Sequence, residues 1–129
     1  MVKKHIENLI NGPLAFDIIC VRQIEICKAI VDENIEKLKE LIPQKYVSHI
    51  IGINHTKGQW LTDIANKEIK YYGIEILKNK IEIKDTKATI KSSNKIRAKL
   101  YEFKGSWVVD SYLILEKENN KWITKEILI

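Results

Sequence analysis

Long apolar runs are the feature that this sequence most clearly lacks. No apolar stretch in its 129 residues approaches the ~20 residues that a membrane-spanning helix needs, so we expect no membrane partner. The N-terminal segment is basic, but its apolar residues are interrupted and do not form the core of a secretory signal. The sequence therefore predicts a cytoplasmic protein.

Arginine is nearly absent, although the chain is basic with a formal net charge of +5. Arg22 and Arg97 are the only arginines, and almost all of the positive charge is lysine. Proteins that recognise nucleic acid favour the guanidinium group, because it forms two hydrogen bonds at once with a phosphate or a base edge. We therefore expect no nucleic-acid partner.

Cysteine and histidine are also scarce, with two and three residues. Cys20 and Cys27 lie in one predicted helix, where their Cα atoms would be about 10.5 Å apart at a rise of ~1.5 Å per residue. A disulfide needs less than ~7 Å, so we expect both thiols to be reduced and buried. The histidines show no HxH or HExxH spacing, and we predict neither a metal nor a cofactor.

Two hydrophobic periods divide the chain. Residues 14–42 repeat their apolar positions with helical spacing, whereas residues 69–129 alternate with period two. Helices followed by strands predict one α+β domain over 14–129, with three N-terminal helices packed on a curved antiparallel or mixed sheet. Residues 1–13 are interpreted as a leader that has room for one short helical turn. Such a pair of layers can enclose a concave pocket.

The helices are predicted over Leu14–Glu33, over residues 35–42 after the N-cap Asn34, and over Lys57–Ala65 after the N-cap Thr56. A short strand is expected over Tyr46–Ile51, followed by a loop at 53–55. The apolar stripe assigned to the first helix consists of Phe16, Ile19, Cys20, Ile24, Cys27, Ile30 and Val31.

The strands begin at Ile69, and their alternation changes parity at 77–80, which predicts a bulge or a turn there. In the next strand, predicted over Lys87–Tyr101, Ser92 and Asn94 interrupt an apolar face, so this strand is either bulged or lines a cavity. A turn is expected at Lys104–Gly105, and a tight hairpin at Asn119–Asn120.

The strand predicted over Trp107–Glu118 is apolar on both of its faces. Helices can cover only one of these faces, so the other needs a second source of cover. A second subunit is the simplest source, and we expect a homodimer joined through the sheet. The lysines of the preceding strand should then lie toward the edge of that interface.

Several segments resemble the nuclear-transport-factor-2-like superfamily, and small bacterial SnoaL-like proteins of unknown function in particular. The resembling residues are His49, Gly52, Thr56–Leu61, Ile69–Tyr72, Ala98–Tyr101, Trp107 and Asn120–Ile123. The resemblance implies a cone-shaped cavity between helices and sheet, and a homodimer through the sheet. It says little about activity, because one fold of this kind carries many functions.

Two residues are candidates for catalysis in such a cone, Asp110 as the acid and His49 as an acid or base. Each has a structural alternative: Asp110 as a carboxylate satisfied by Lys or Tyr at a dimer interface, His49 as a core histidine bonded to the backbone. If both are functional, their side chains should point inward. The pocket-lining candidates are Trp60, Tyr71, Tyr72, Tyr101, Trp107 and Tyr112, whereas Trp122 is assigned to the core.

The sequence departs from the ketosteroid isomerases within this superfamily. Their catalytic tyrosine would fall near Phe16–Cys20, where this sequence has no tyrosine. Their general-base aspartate would fall near residues 44–46, where it has no aspartate. Scytalone dehydratases use two cavity histidines, and in this sequence only His49 can be placed at such a position. Neither of these two chemistries is supported residue by residue.

Two functional hypotheses follow from these observations. The first is a SnoaL-like protein that binds a small hydrophobic or amphipathic ligand in the cone, where a lyase or isomerase reaction would take place. The alternative is a non-catalytic dimeric interaction module whose cone is filled by side chains. An open cavity of a few hundred Å³ would favour the first hypothesis.

Overall fold

Residues 13–50 and 52–128 are described by a computed structural model of the chain. Its helices are α1 (Pro13–Val31), α2 (Ile35–Leu41) and α3 (Lys57–Ala65). Its strands are β1 (Val47–Ile50), β2 (Ile53–Thr56), β3 (Ile69–Lys84), β4 (Lys87–Leu100), β5 (Phe103–Glu118) and β6 (Lys121–Leu128). Three helices precede the main sheet, which confirms the predicted α+β class. The proposed leader lies outside the described residues, except for Pro13, which begins α1.

The main sheet has four strands in the order β3-β4-β5-β6, and every pair is antiparallel. Strands β1 and β2 form a separate two-stranded hairpin. The loop predicted at 53–55 is therefore wrong, because these residues pair with β1. Gly52, next to the turn of this hairpin, has a φ of 72°, a left-handed conformation that glycine adopts without a steric penalty.

Two register shifts interrupt β3, one at Tyr72 and one at Leu77. Each adds a residue opposite β4 and so changes which parity faces the helices. Because of the second shift, Ile74 and Ile81 both lie on the face toward the helices, although their positions differ in parity. The bulge predicted at 77–80 is confirmed.

The rotation of α1 about its axis differs from the prediction. Its buried residues are Ala15, Ile19, Gln23, Ile26 and Ala29. By contrast, Phe16 and Ile24, which were assigned to the buried stripe, are exposed, Ile24 to 57%. Ile18 and Val21 are also exposed. Because apolar residues surround this helix, its hydrophobic pattern does not determine its rotation, and packing against the sheet does.

The turn between β4 and β5 lies at Tyr101–Glu102 and not at the predicted Lys104–Gly105. Tyr101 has a φ of 58°, an unfavourable value for a tyrosine. Two hydrogen bonds hold Tyr101 in this conformation. Its backbone N–H donates to the backbone carbonyl oxygen of Glu68 at 2.7 Å, and its hydroxyl donates to Asp63 Oδ2 at 2.6 Å. The Asn119–Asn120 hairpin is confirmed, with positive φ at both residues.

Side chains cap the two shorter helices. Asn34 Oδ1 accepts a hydrogen bond from the Lys37 N–H, and Thr56 forms a reciprocal capping box with Gln59. Lys57 is buried, and its Nζ donates to the carbonyl oxygens of Lys39 and Ile42 at 2.8 and 2.7 Å. The buried ammonium therefore satisfies the C-terminal end of α2 and fixes α3 against it.

One hydrophobic core lies between the helices and the concave face of the sheet. Its largest fully buried side chains are Trp60, Ile19, Leu38, Ile64, Ile69, Ile90 and Leu115. Trp122 is buried in the same core, as predicted. None of the described helices is long and apolar enough to cross a bilayer.

Candidate functional site

Two adjoining chambers lie between the helices and the sheet. The outer chamber has a volume of about 490 Å³ and the inner chamber about 110 Å³. They share six lining residues: Ile30, Tyr46, Trp60, Ile74, Ile96 and Val109. The outer volume lies in the ~300–1,000 Å³ range typical of ligand pockets. The fold therefore leaves open space at the place where the cone cavity was expected.

Three aromatic side chains form one wall of the outer chamber. Trp60 packs edge-on against Tyr46 and Tyr71, with ring centroids 5.1 and 6.4 Å away, and its Nε1–H donates to Tyr71 Oη at 3.1 Å. Burial raises the pKa of both tyrosines above the ordinary phenol value. Both phenols are therefore neutral at physiological pH, and the wall presents rings with uncharged polar tips.

Amide and hydroxyl groups from β4 and β5 meet in the inner chamber. Ser92 Oγ and Ser111 Oγ are 2.8 Å apart, and Asn94 Nδ2 donates to them at 3.2 and 3.0 Å. Strands β4 and β5 pair here without a register shift. Of the two interpretations of Ser92 and Asn94, the cavity lining is therefore confirmed. We call Ser92, Asn94 and Ser111 the amide–hydroxyl cluster.

A second uncharged pair lies beside this cluster. Gln23 on α1 lines the inner chamber, and its side-chain amide exchanges two hydrogen bonds with Asn79 on β3. Among the described residues that line the two chambers, none is Lys, Arg, Asp or Glu. The polar groups inside are thus amides, hydroxyls, phenols, the indole N–H of Trp60 and the thiol of Cys27.

Asp110 is exposed, whereas its neighbours Val109 and Ser111 line the inner chamber. Successive residues of a strand point to opposite faces, so the carboxylate lies on the outer face of the sheet. The predicted inward orientation of Asp110 is wrong. The sequence pattern does not predict the orientation of Asp110, because both faces of β5 are apolar and the pattern does not show which of them is turned inward.

His49 is also exposed, between the buried residues Ser48 and Ile50 of β1. Its Nδ1 is hydrogen-bonded to Asn54 Oδ1 across the β1–β2 hairpin, and the residue lies on the rim of the outer chamber. The inward orientation predicted for His49 is therefore also wrong. The structure does not bring His49 and Asp110 together inside the cone.

The remaining aromatic candidates divide into two groups. Trp107 lines the outer chamber, whereas Tyr112 only borders the inner one: it is 40% exposed, and its ring lies on the outer face of the sheet, 5.6 Å from the ammonium group of Lys91. Tyr72 is exposed at a bulge, where the ammonium groups of Lys70 and Lys104 lie 6.0 and 5.4 Å from its ring centroid. Tyr101 forms the β4–β5 turn outside both chambers.

Tyr101 belongs to a polar cluster near the start of α3. Its hydroxyl donates to Asp63 and lies 3.4 Å from His55 Nε2, while His55 Nδ1 is 3.7 Å from the Asp63 carboxylate. Burial and the Asp63 carboxylate raise the pKa of Tyr101 to about 12. The sequence does not predict this cluster, because Asp63 and His55 are 38 and 46 residues away from Tyr101 along the chain. Only the folding of the chain brings the three side chains together.

The two cysteines are free thiols and only half-buried, so the expectation of full burial is wrong. Cys27 lines the inner chamber. Burial raises the pKa of both thiols, and Asp17 adds to the effect at Cys20. Among the described residues, no three His, Cys, Asp or Glu side chains are grouped as metal ligands.

Of the amide and hydroxyl side chains in or beside the inner chamber, sequence reasoning identified Ser92 and Asn94 and missed the others. Ser111, Gln23 and Asn79 were not singled out. Ser111 is nevertheless a polar residue between Val109 and Leu113 on one face of β5, just as Ser92 is a polar residue on an otherwise apolar face of β4. A search for polar breaks on facing strands would have found Ser111. Gln23 and Asn79 meet only through the packing of α1 on the sheet.

Comparison with solved structures identifies relatives by shape. An NTF2-like protein from Cytophaga hutchinsonii has a TM-score of 0.72 and 16% identity over 84% of this chain and 90% of its own. A candidate calcium/calmodulin-dependent kinase II association domain from Exiguobacterium sibiricum has a TM-score of 0.73 and 11% identity, over 88% and 89%. A candidate ketosteroid isomerase from Shewanella frigidimarina gives 0.60 and 14%, over 82% and 89%.

No protein-family model and no curated protein matches the sequence. At identities this low, the similarity to solved structures concerns the fold alone. The similarity covers 84% of this chain, and with it most of the helices and of the antiparallel sheet. The resemblance inferred from the sequence is confirmed at this level: the chain has the NTF2-like fold.

Proposed function

We propose that this protein binds a small apolar or amphipathic molecule in the two chambers. The observation that carries the proposal is the open outer chamber of about 490 Å³, walled by Tyr46, Trp60 and Tyr71. A cone filled by its own side chains would have no such space. Aromatic and aliphatic walls with a few convergent polar groups are typical of sites that bury a ligand.

The proposal is for binding and does not extend to a lyase or isomerase reaction. Acid–base catalysis needs a titratable group within hydrogen-bond reach of the reacting atom. The two groups considered for that role, His49 and Asp110, are exposed, and the raised pKa values of Tyr46 and Tyr71 oppose a role as a general base near neutral pH. The SnoaL-like resemblance and the candidate ketosteroid isomerase among the structural relatives are compatible with a ligand in the cone.

The uncharged dye N-phenyl-1-naphthylamine tests this function, because its fluorescence rises and shifts to the blue when it enters an apolar site. We expect saturable binding by the wild-type protein. Val109 lines both chambers, so Val109→Phe should fill the space and abolish the signal. Ser106→Phe, on the exposed face of the same strand, is the matched control and should bind like the wild type.

Thermal unfolding of both variants shows whether each remains folded. An absence of saturable dye binding to the folded wild-type protein would refute the proposed function. Equal binding by Val109→Phe and the wild type would place the dye elsewhere and would refute the assignment to the chambers.

We also propose that the protein is a homodimer joined through the outer face of β5 and β6. Val108, Tyr112 and Leu128 expose 65%, 40% and 51% of their surface there, and Tyr112 and Leu128 are paired across the two strands. Exposed apolar side chains grouped on one face are typical of an interface, and the Asp110 carboxylate between Val108 and Tyr112 is a charged group that this interface would have to satisfy. Self-association through this face is also the basis of the alternative function, a non-catalytic interaction module.

The charge of the adjacent strand limits the geometry of this dimer. Lys91, Lys95, Arg97 and Lys99 are exposed on β4, and two copies of this row facing each other would repel. The proposed two-fold axis therefore passes near β5 and β6, with β4 at the edge. One structural relative is named as an association domain, which is compatible with a role of this fold in assembly.

Sedimentation velocity tests the dimer. We expect the wild type to sediment as a species of twice 15.1 kDa at micromolar concentration, and Val108→Glu to sediment as a monomer. Ala65→Glu, which adds the same charge at an exposed position of α3 on the helix side of the molecule, should remain dimeric. A wild-type protein that sediments only as a monomer would refute the proposal. The cytoplasmic location stays a prediction.

A further inference from the structure

The polar groups of the inner chamber include both donors and acceptors. The three side chains of the amide–hydroxyl cluster carry four protons, two on the Asn94 amide nitrogen and one on each serine hydroxyl. The bond between Ser92 and Ser111 uses one hydroxyl proton, and the Asn94 amide donates toward both serines. One hydroxyl proton and the Asn94 Oδ1 lone pairs are left to interact with each other or with a ligand.

Charge in this chamber would be poorly compensated. The described lining residues include no Lys, Arg, Asp or Glu. An ion that enters such a site loses its hydration and gains no partner of opposite charge, which is costly. A carboxylate would in addition face the oxygen of Asn94, and an ammonium group would face the N–H groups of the same side chain.

An uncharged head group with one donor and one acceptor meets neither penalty. A hydroxyl or a carboxamide can accept the free hydroxyl proton and donate to Asn94 Oδ1. Beyond the cluster, the shared residues Ile74, Ile96 and Val109 lead from the inner to the outer chamber. An apolar body attached to the head group would therefore extend along the aromatic wall.

We infer that the ligand of this site is an uncharged amphipathic molecule whose hydroxyl or carboxamide is held by Ser92, Asn94 and Ser111. Its apolar body occupies the outer chamber beside the half-buried rings of Tyr71 and Trp107. The inference rests on the proposed function, since it requires that the chambers bind a small molecule. It adds the class of ligand and the residues that select the head group.

Isothermal titration calorimetry with three probes that share one ring system tests the charge selectivity. The probes are 2-naphthol, 2-naphthoate and 2-naphthylmethylammonium at pH 7, where a phenol, with its pKa near ~10, is neutral. We expect 2-naphthol to bind at least about tenfold more tightly than either ion, because neither ion finds a compensating charge. Naphthoate or the ammonium probe binding as tightly as 2-naphthol would overturn the inference while leaving the proposed function intact.

Variants of β5 test the position of the head group. Ser111→Ala removes one hydroxyl of the cluster and should weaken 2-naphthol binding about three- to tenfold, the effect of one neutral hydrogen bond. Binding of naphthalene, which has no head group, should not change. Ser106→Ala is the matched control on the exposed face of the same strand and should leave both affinities unchanged.

Ser92→Ala provides an independent variant with the same expectation, and thermal unfolding verifies that each variant is folded. Unchanged affinity for 2-naphthol in both cluster variants would overturn the assignment of the head group to this cluster. If none of the four naphthalene compounds binds the wild type, the proposed function fails, and this inference fails with it.

Discussion

The side chains of Gln23 and Asn79 exchange two hydrogen bonds, of 3.0 and 2.7 Å, between α1 and β3. They are unequal in burial, because Gln23 is buried and Asn79 is exposed. This pair joins the helix layer to the sheet beside the inner chamber. Substitution of the one residue and of the other should therefore lower the free energy of unfolding by different amounts.

Asn79→Ala should lower the free energy of unfolding by about 1–2 kcal/mol, because it leaves the buried amide of Gln23 without a partner. Gln23→Leu should change it by less than about 0.5 kcal/mol, since exposed Asn79 can be hydrated and leucine suits the apolar surroundings. Urea unfolding monitored by tryptophan fluorescence measures both values. A larger loss of stability in Gln23→Leu than in Asn79→Ala would contradict the prediction that the burial of Gln23 determines these two values.

Alkaline pH should destabilise the protein through three of its tyrosines. The pKa values of Tyr46, Tyr71 and Tyr101 are raised in the folded state, that of Tyr101 to about 12. In the unfolded chain these phenols ionise near pH ~10, so the unfolded state is stabilised first as the pH rises. The free energy of unfolding should be unaffected by these groups below pH ~10 and should fall progressively above it.

Tyrosinate absorbance during an alkaline titration checks this prediction. Tyr46, Tyr71 and Tyr101 should ionise together with unfolding, because their phenols are protonated in the folded state at pH values where those of the unfolded chain are not. Tyr101→Phe should reduce the loss of stability between pH ~10 and ~12, because it removes one of the three groups. Ionisation of Tyr46, Tyr71 and Tyr101 near the ordinary phenol pKa in the folded protein would contradict the prediction.

Ligand binding should protect one cysteine and not the other. Cys27 lines the inner chamber, whereas Cys20, about two helical turns closer to the N-terminus, does not. Saturation with 2-naphthol should slow the alkylation of Cys27 and leave that of Cys20 unchanged, which makes Cys20 an internal control. Mass spectrometry of tryptic peptides after timed exposure to iodoacetamide measures both rates.

The same experiment tests the state of the thiols. Because burial raises the pKa of both thiols, alkylation of each should be slow at neutral pH and should accelerate as the pH rises. Both cysteines should react without prior reduction. A fraction that reacts only after reduction would reveal a disulfide, contrary to the free thiols of this structure.

Substitution of the two residues first considered for catalysis should leave ligand binding nearly unchanged. His49→Ala and Asp110→Asn should each alter the affinity for 2-naphthol by less than about twofold, because both side chains are exposed and make no hydrogen bond inside the chambers. Calorimetry with Val109→Phe as the disruptive comparison measures this. A tenfold loss of affinity for 2-naphthol in either variant would show that the substituted residue does contribute to the binding site.

Much of the fold is determined by local sequence. The period of the apolar residues separates helices from strands, Asn34 and Thr56 begin their helices by accepting hydrogen bonds from the backbone, and Asn119–Asn120 closes a hairpin because both residues tolerate a positive φ. Even the bulge in β3 follows from a change of parity among four isoleucines. These features depend on residues only a few positions apart.

The site depended on contacts between distant parts of the chain. Polar breaks at Ser92 and Asn94 were visible in the sequence, but the partner Ser111 on β5 and the Gln23–Asn79 pair across 56 residues were decided by packing. The rotation of α1 and the outward direction of Asp110 were decided in the same way. Where both faces of a helix or strand are apolar, the sequence pattern fits either orientation equally well, and only burial against the rest of the fold selects one.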